Sequence, residues 1–280
     1  MMRLTDAVAK FGLILFVIVI ILIWFFPPLL MFLNSLKTYE EIYNPSHVFP
    51  PNPTIVTYLP SPAGMFEFIY FLWISNSVTI GLATMTISVG ASLPAAYAVS
   101  RMQFKIKTFF SKSVLLMYLF PSSFLFIGYM KLIGGLGLFN NPLAVALIDS
   151  AYASPYCMWL LGGYLSSLPR EIEESAFIDG CNRMQVLLKI VIPIMMPGII
   201  AAAMYSFIIG WDDYLYALLF LNEKHTWNLN IGMMNLVIGD YAPWNQLFTL
   251  ATIDIIPPVV LFMIIQRYIV SGLAAGSVKL

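Results

Sequence analysis

From Phe68 to Ser100 no residue carries a charge, and the same holds from Phe11 to Leu33. Such runs constrain the fold more than any other feature of the chain, because hydrocarbon has to solvate them. Hydrocarbon offers an exposed backbone no hydrogen bonds, so a chain crosses it as helices or as a closed barrel, and each helical crossing takes about 20 apolar residues. These runs have helix length. The composition agrees, with 60% hydrophobic and 10% charged residues, against roughly 25% charged in a soluble domain.

The expected fold is therefore an all-α polytopic membrane protein, a single transmembrane domain over residues 1–280 with spans at about 11–33, 70–99, 113–133, 143–165, 197–221 and 247–269. The opening segment has the basic start and apolar centre of a signal peptide but no small-x-small cleavage site, which reads as a retained signal-anchor helix bent near Pro27 and Pro28. The second run contains "NSVTIGLATMTISVGASLPAAYAVS", rich in Gly, Ala, Ser and Thr, as a helix packed closely against other helices requires.

Orientation follows from the bias of Lys and Arg toward the cytoplasmic side. With the N-terminus inside, Arg3, Lys10, Arg101, Lys105, Lys107, Lys112, Arg170, Arg183, Lys189, Arg267 and Lys279 are cytoplasmic, while Lys37, Lys131 and Lys224 are outside, 11 against 3. Six crossings then return the C-terminus to the cytoplasm. Two external loops follow, a proline-rich one after the first span and "NEKHTWNLNIGMMNLVIGDYAPWNQ" between the fifth and sixth; either can contact a partner or simply connect.

Several classes drop out. The net charge is zero, there is no phosphate-cradling glycine loop and no H-E-x-x-H pair, and the two histidines, His47 and His225, fall in external loops. No nucleic acid, bound cofactor or metal is expected on this chain. Cys157 and Cys181 read as small packing residues.

Between the fourth and fifth spans, residues 166–198 form the largest cytoplasmic loop. "SSLPREIEESAFIDG" predicts a short helix capped by Ser166 or Ser167, with Pro169 in its first turn and Gly180 at its end; Asn182 and Gln185 then cap a second helix that runs to Pro193 and Pro197. Ile172, Ala176 and Phe177 can form one apolar face. That face either packs beneath its own bundle or docks into another protein.

The stretch "ESAFIDGC", followed by "IVIP" and Pro197, resembles the EAA loop of ABC-importer permeases, in which the loop is a coupling helix seated in a cleft of an ATPase subunit. Glu174, Ala176, Asp179, Gly180, Ile190 and Pro193 match the motif, while Ser175 and Cys181 stand where alanine is usual. "NSVTIG", "AAYAVSR", "WDDYLYALLFL" and "QRYIVSGLAAGSVKL" are similar to carbohydrate-type permeases, more narrowly to the second permease of the maltose-type pair. The resemblance implies the type I ABC importer permease fold and a bacterial cytoplasmic (inner) membrane location. It implies as partners a second homologous permease, two ATPase subunits holding ATP and Mg, an extracytoplasmic solute-binding protein and a carbohydrate, first of all an oligosaccharide. It also implies that the terminal "AAGSVKL" reaches toward the ATPases. The coupling residues it marks are Glu174, Ser175, Ala176, Asp179, Gly180, Pro193 and Pro197.

In the fifth span Trp211, Asp213 and Tyr214 match the family pattern, with Asp212 in place of the usual asparagine. They either line a water-filled pathway, where an aromatic face stacks on a sugar and carboxylates accept its hydroxyl protons, or hold helices together. The rival reading is an ion-coupled secondary transporter with Asp149, Asp212, Asp213 and Asp254 as its relay. A membrane-embedded enzyme lacks a nucleophile with an evident base.

Overall fold

The computed structural model describes residues 2–44, 47–59, 68–237, 239 and 242–276, without the side chains of residues 2–9, 115, 122 and 267–276. The described residues form helices α1 (Met2–Ser35), α2 (Tyr39–Ile42), α3 (Phe68–Arg101), α4 (Lys107–Leu119), α5 (Phe126–Gly135), α6 (Pro142–Ser167), α7 (Arg170–Ile178), α8 (Arg183–Val186), α9 (Ile192–Ile194), α10 (Met196–Trp211), α11 (Leu215–Phe220), α12 (Leu229–Asn235) and α13 (Trp244–Gly276), and no strand. They divide into two compact units, one of residues 1–68 with 233–256, the other of 69–232 with 257–280.

Three helices are long and apolar enough to cross a bilayer, at Lys10–Ser35, Phe68–Arg101 and Trp244–Gln266. Two bent pairs raise this to as many as five, Lys107–Leu119 with Ser123–Gly135 and Arg183–Ile194 with Met196–Trp211. Two expected spans are therefore not single rods. The stretch expected at 113–133 is broken around Phe120 and Pro121 and bent by 94°, because proline disfavours helical backbone in the residue before it. The stretch expected at 197–221 stops at Trp211 and resumes at Leu215. α1, by contrast, continues through Pro27 and Pro28.

In the first unit the proline-rich loop is knit rather than slack. Thr38 and Glu41 form a capping box on α2, Asn52 donates its backbone and side-chain N–H to Glu41, and the Lys37 ammonium donates to the His47 carbonyl at 2.9 Å. The Thr54 amide reaches back to Leu36 O, and the hydroxyls of Ser35 and Tyr58 meet at 2.6 Å.

The second unit is built on small residues. Thr84, Ser88 and Ser92 of α3 donate to the carbonyls of Ala146, Ser150 and Ser154 of α6, a constant offset of 62 residues that makes the two helices parallel. Parallel neighbours joined through α4 and α5 require the chain to travel back between them, which is what the broken pair does. α6 and α10 run antiparallel: Gly198 lies against Tyr164, Ala202 against Cys157 and Tyr205 against Tyr156. α6 itself is no apolar rod. It buries Asp149, Ser150 and small residues among its neighbours, so protein surrounds much of it.

The ends of this unit are distinct. At one end the Trp73 indole donates to Lys224 O, the Asn76 side-chain amide to His225 and Trp227 carbonyls, and the Leu229 amide to the Ser77 hydroxyl. At the other, Arg101 meets the α6–α7 turn. Arg101 and Arg170 lie at the α7 end of this unit and Lys224 at the opposite one.

Candidate functional site

α6 ends at Ser167, and its last serines turn back on their own helix. Ser166 donates to Gly162 O and Ser167 to Tyr164 O, both at 2.8 Å. The expectation that one of them caps the next helix fails, because a hydroxyl within a final helical turn has a carbonyl three or four residues back within reach. Pro169 occupies the position before α7 and gives no side-chain cap.

α7 buries a different face from the one its apolar residues define. Ala176 is buried as expected, but its inward companion is Glu173, 4% exposed, while Ile172 and Phe177 lie outward. Glu173 is held by two residues one turn apart on α3. Arg101 Nε donates to its Oε1 at 2.6 Å, the Tyr97 hydroxyl donates to Oε2 at 3.1 Å, and a terminal guanidinium nitrogen of Arg101 donates to Leu168 O at 2.8 Å. A carboxylate taken out of water has to be paired, and this one is paired twice. The segment "AAYAVSR" thus supplies the anchor of α7.

The helix ends in a Schellman turn. The Cys181 amide reaches Ala176 O and the Gly180 amide reaches Phe177 O, with Gly180 at φ +87°. Asn182 and Gln185 form the expected capping box, at 2.8 and 2.9 Å. Leu187–Val191 is wound as a π-helix, and after Ile194 the axis bends by 81° into α10, at Met195 between Pro193 and Pro197. Val186, Leu187 and Val191 are buried with Leu161, Leu165 and Ala176, fixing this elbow to α3 and α6.

On the outer side of the elbow Glu174, Ser175, Asp179, Gly180 and Pro193 are exposed, and Ser175 donates to Glu171 O. Ile178 is 87% exposed, and Phe177, Met184 and Leu188 are exposed as well. Of the coupling residues marked in the sequence, only Ala176 is buried and Pro197 half-buried. The site is a rigid knob, pinned from inside by Glu173 and showing apolar side chains outward, the pattern of a protein-docking surface.

The fifth-span trio sits differently. Trp211 is 3% exposed and stacked on Phe207 at 5.8 Å. The Asp213 carboxylate accepts the amides of Ala217 at 2.8 Å and Tyr216 at 3.4 Å, capping α11, while its carbonyl accepts from Asn228. Both residues hold the break between α10 and α11 together, and only Tyr214 and Asp212 face outward. Asp149 is buried in α6, and its Oδ2 has no hydrogen-bond partner among the described residues. Cys157 is buried and Cys181 half-buried, both as thiols. The described residues hold no group of three His, Cys, Asp or Glu able to take a metal. The segment expected to reach the ATPases ends in residues 277–280, outside the described ones.

Comparison with known proteins settles the family. Residues 10–274 match the family of binding-protein-dependent transport system inner membrane components. The chain belongs to that family. It is 28% identical over 268 residues to an inner membrane ABC transporter permease of Escherichia coli, covering 96% of this chain and 94% of the relative. It is 31% identical to the sulfoquinovosyl glycerol transport system permease of Agrobacterium fabrum, covering 91% and 88%, and 34% identical to the trehalose/maltose transport system permease of Thermococcus litoralis, covering 74% and 75%. In fold it resembles a bacterial ABC transporter that imports the acidic polysaccharide alginate, with a TM-score of 0.78 at 18% identity over 94% of this chain and 97% of that one. The protein is thus an inner-membrane permease component, and the α7 elbow lies inside the matched region.

Proposed function

We propose that this chain is one of two related permeases in an ATP-driven carbohydrate importer, with six spans, both termini cytoplasmic, two ATPase subunits beneath it and an external binding protein above. An oligosaccharide is the first candidate cargo. The observation that carries the reading is the α7 elbow, where apolar side chains are exposed on a helix whose inner face is locked to α3. An exposed apolar surface on a rigid element fits a cleft in a soluble subunit, and the buried ion pair passes a push on α7 directly to α3. Glu174, Ser175, Asp179 and Gly180 would face that cleft, and Pro193 and Pro197 would keep the re-entry into the membrane stiff. The chain does no covalent chemistry; ATP and Mg belong to the partners. The relatives named for sulfoquinovosyl glycerol and for trehalose/maltose support the carbohydrate class.

An aspartate relay has less support. Asp213 is engaged as a helix cap and Asp212 is exposed, and the relay leaves the elbow without a task. Uptake of radiolabelled sugar into vesicles carrying the whole complex decides between them. Uptake should stop on ATP depletion and persist when the proton and sodium gradients are collapsed; the reverse result removes the importer reading.

A further inference from the structure

Near the middle of the second unit, four tyrosines from three helices gather on one face. Tyr118 of α4 lies 5.7 Å from Tyr152 and 5.6 Å from Tyr156 of α6, ring centre to ring centre, and Tyr205 of α10 lies 4.2 Å from Tyr156 and donates its hydroxyl to Tyr118 at 3.3 Å. Trp159 extends the patch, 5.9 Å from Tyr156 and exposed. All four tyrosines are half-buried. Among the described residues the Tyr152 and Tyr156 hydroxyls have no hydrogen-bond partner.

Their depth makes this arrangement informative. Tyr152 and Tyr156 sit in the middle part of α6, each at least about 15 Å from both ends at 1.5 Å per residue, whereas tyrosines that anchor a protein in lipid lie at the interfaces. A hydroxyl facing hydrocarbon at mid-depth loses its water and gains nothing in exchange. The backbone beside the cluster agrees: α4 ends at Leu119, one residue past Tyr118, and the chain is bent there by 94°. Irregular backbone at membrane depth persists where it lines a water-filled space or is buried in protein, and the exposed neighbours Leu119 and Phe120 exclude burial within this chain.

We infer that this tyrosine cluster is the carbohydrate-contact surface of the subunit, and that it takes a neutral rather than an acidic sugar. The inference rests on the importer reading above. Sugars present apolar C–H faces that stack on aromatic rings and hydroxyls that donate and accept, as tyrosine hydroxyls do. The four tyrosines have no Lys or Arg among them to balance a carboxylated sugar; the basic residues Arg101, Lys107 and Arg170 line the cavity that Trp159 shares, toward the α7 end. This places sugar contact on α4, α6 and α10 rather than on Trp211 and Asp213.

The test uses the assembled importer in proteoliposomes. Wild-type uptake is measured first with neutral and uronate oligosaccharides; absence of ATP-driven uptake of any of them would count against the importer reading itself, and transport of uronates alone would overturn the choice of a neutral sugar. Tyr156→Ala should then lower sugar uptake by about tenfold, the equivalent of about 1.4 kcal/mol, while ATP hydrolysis stimulated by the binding protein holds within about twofold. Tyr156→Phe, which keeps the ring, should fall between. Independently, a thiol at Tyr152→Cys in a Cys157→Ala, Cys181→Ala background should react with the charged reagent methanethiosulfonate ethylsulfonate. No reaction in either the nucleotide-free or the ATP-bound state, or uptake unchanged in Tyr156→Ala, overturns the inference.

Discussion

Glu173→Ala removes the pin between α7 and α3, and the structure fixes what that costs. The Arg101 and Glu173 side chains are 9% and 5% exposed and 2.6 Å apart. Truncating Glu173 leaves a guanidinium buried with only Leu168 O and strands the Tyr97 hydroxyl. Removing one member of a buried ion pair costs about 3–5 kcal/mol, while replacing both members with apolar residues of similar volume is often near neutral. The stabilities should therefore be non-additive. Glu173→Ala should lower stability by about 3 kcal/mol or more, with Arg101→Met, Glu173→Met recovering most of it. Unfolding of the purified complex in mixed SDS micelles reads this directly. Sugar uptake per ATP supplies the second readout, because the double variant should fold yet remain poorly coupled with the pin gone. A single variant within about 1 kcal/mol of wild type, or a double variant that couples normally, would refute the idea that the ion pair positions α7.

The remaining expectations concern separate parts of the fold. Replacing Gly180 with Leu forces a side chain into φ +87° and should cost about 1–2 kcal/mol locally; the permease should still insert, but the ATPase subunits should dissociate or hydrolyse ATP without uptake, as pull-down and ATPase assays would show. Gly232→Ala places a methyl within the Trp73 ring and should destabilise by about 1–3 kcal/mol, visible as reduced yield of folded complex. Asp213→Ala unties the first turn of α11 and should cost about 1 kcal/mol as a lost cap, with uptake largely retained; a complete loss of uptake at normal stability would restore Asp213 to the pathway.

Much of this was legible in the sequence where a local rule decides the outcome. Gly180 ends α7 because the turn needs positive φ, and Asn182 with Gln185 caps α8 because the spacing closes a capping box. The Gly, Ala, Ser and Thr content of α3 announced a helix packed on protein, and Thr84, Ser88 and Ser92 pack on α6. What was not legible depended on partners distant in sequence. Glu173 counts as one more solvated acid until Arg101, 72 residues earlier, is brought beside it. Hydropathy carries a span straight across Phe120 and Pro121 because both are apolar, although the backbone there bends. Trp211 and Asp213 matched a family pattern, but their roles in stacking and capping emerged only from where α11 and Asn228 lie.

The central claim is that the outer face of α7 is gripped by an ATPase subunit. In a Cys157→Ala, Cys181→Ala background, Ile178→Cys provides a thiol at the most exposed large apolar position of that face. The maleimide labelling rate of this thiol, measured on the permease pair alone and after the purified ATPase subunits are added, is the most direct test. Labelling should slow by at least about tenfold once the subunits bind, as burial in a protein interface requires. An unchanged rate in a complex that has demonstrably assembled would contradict it.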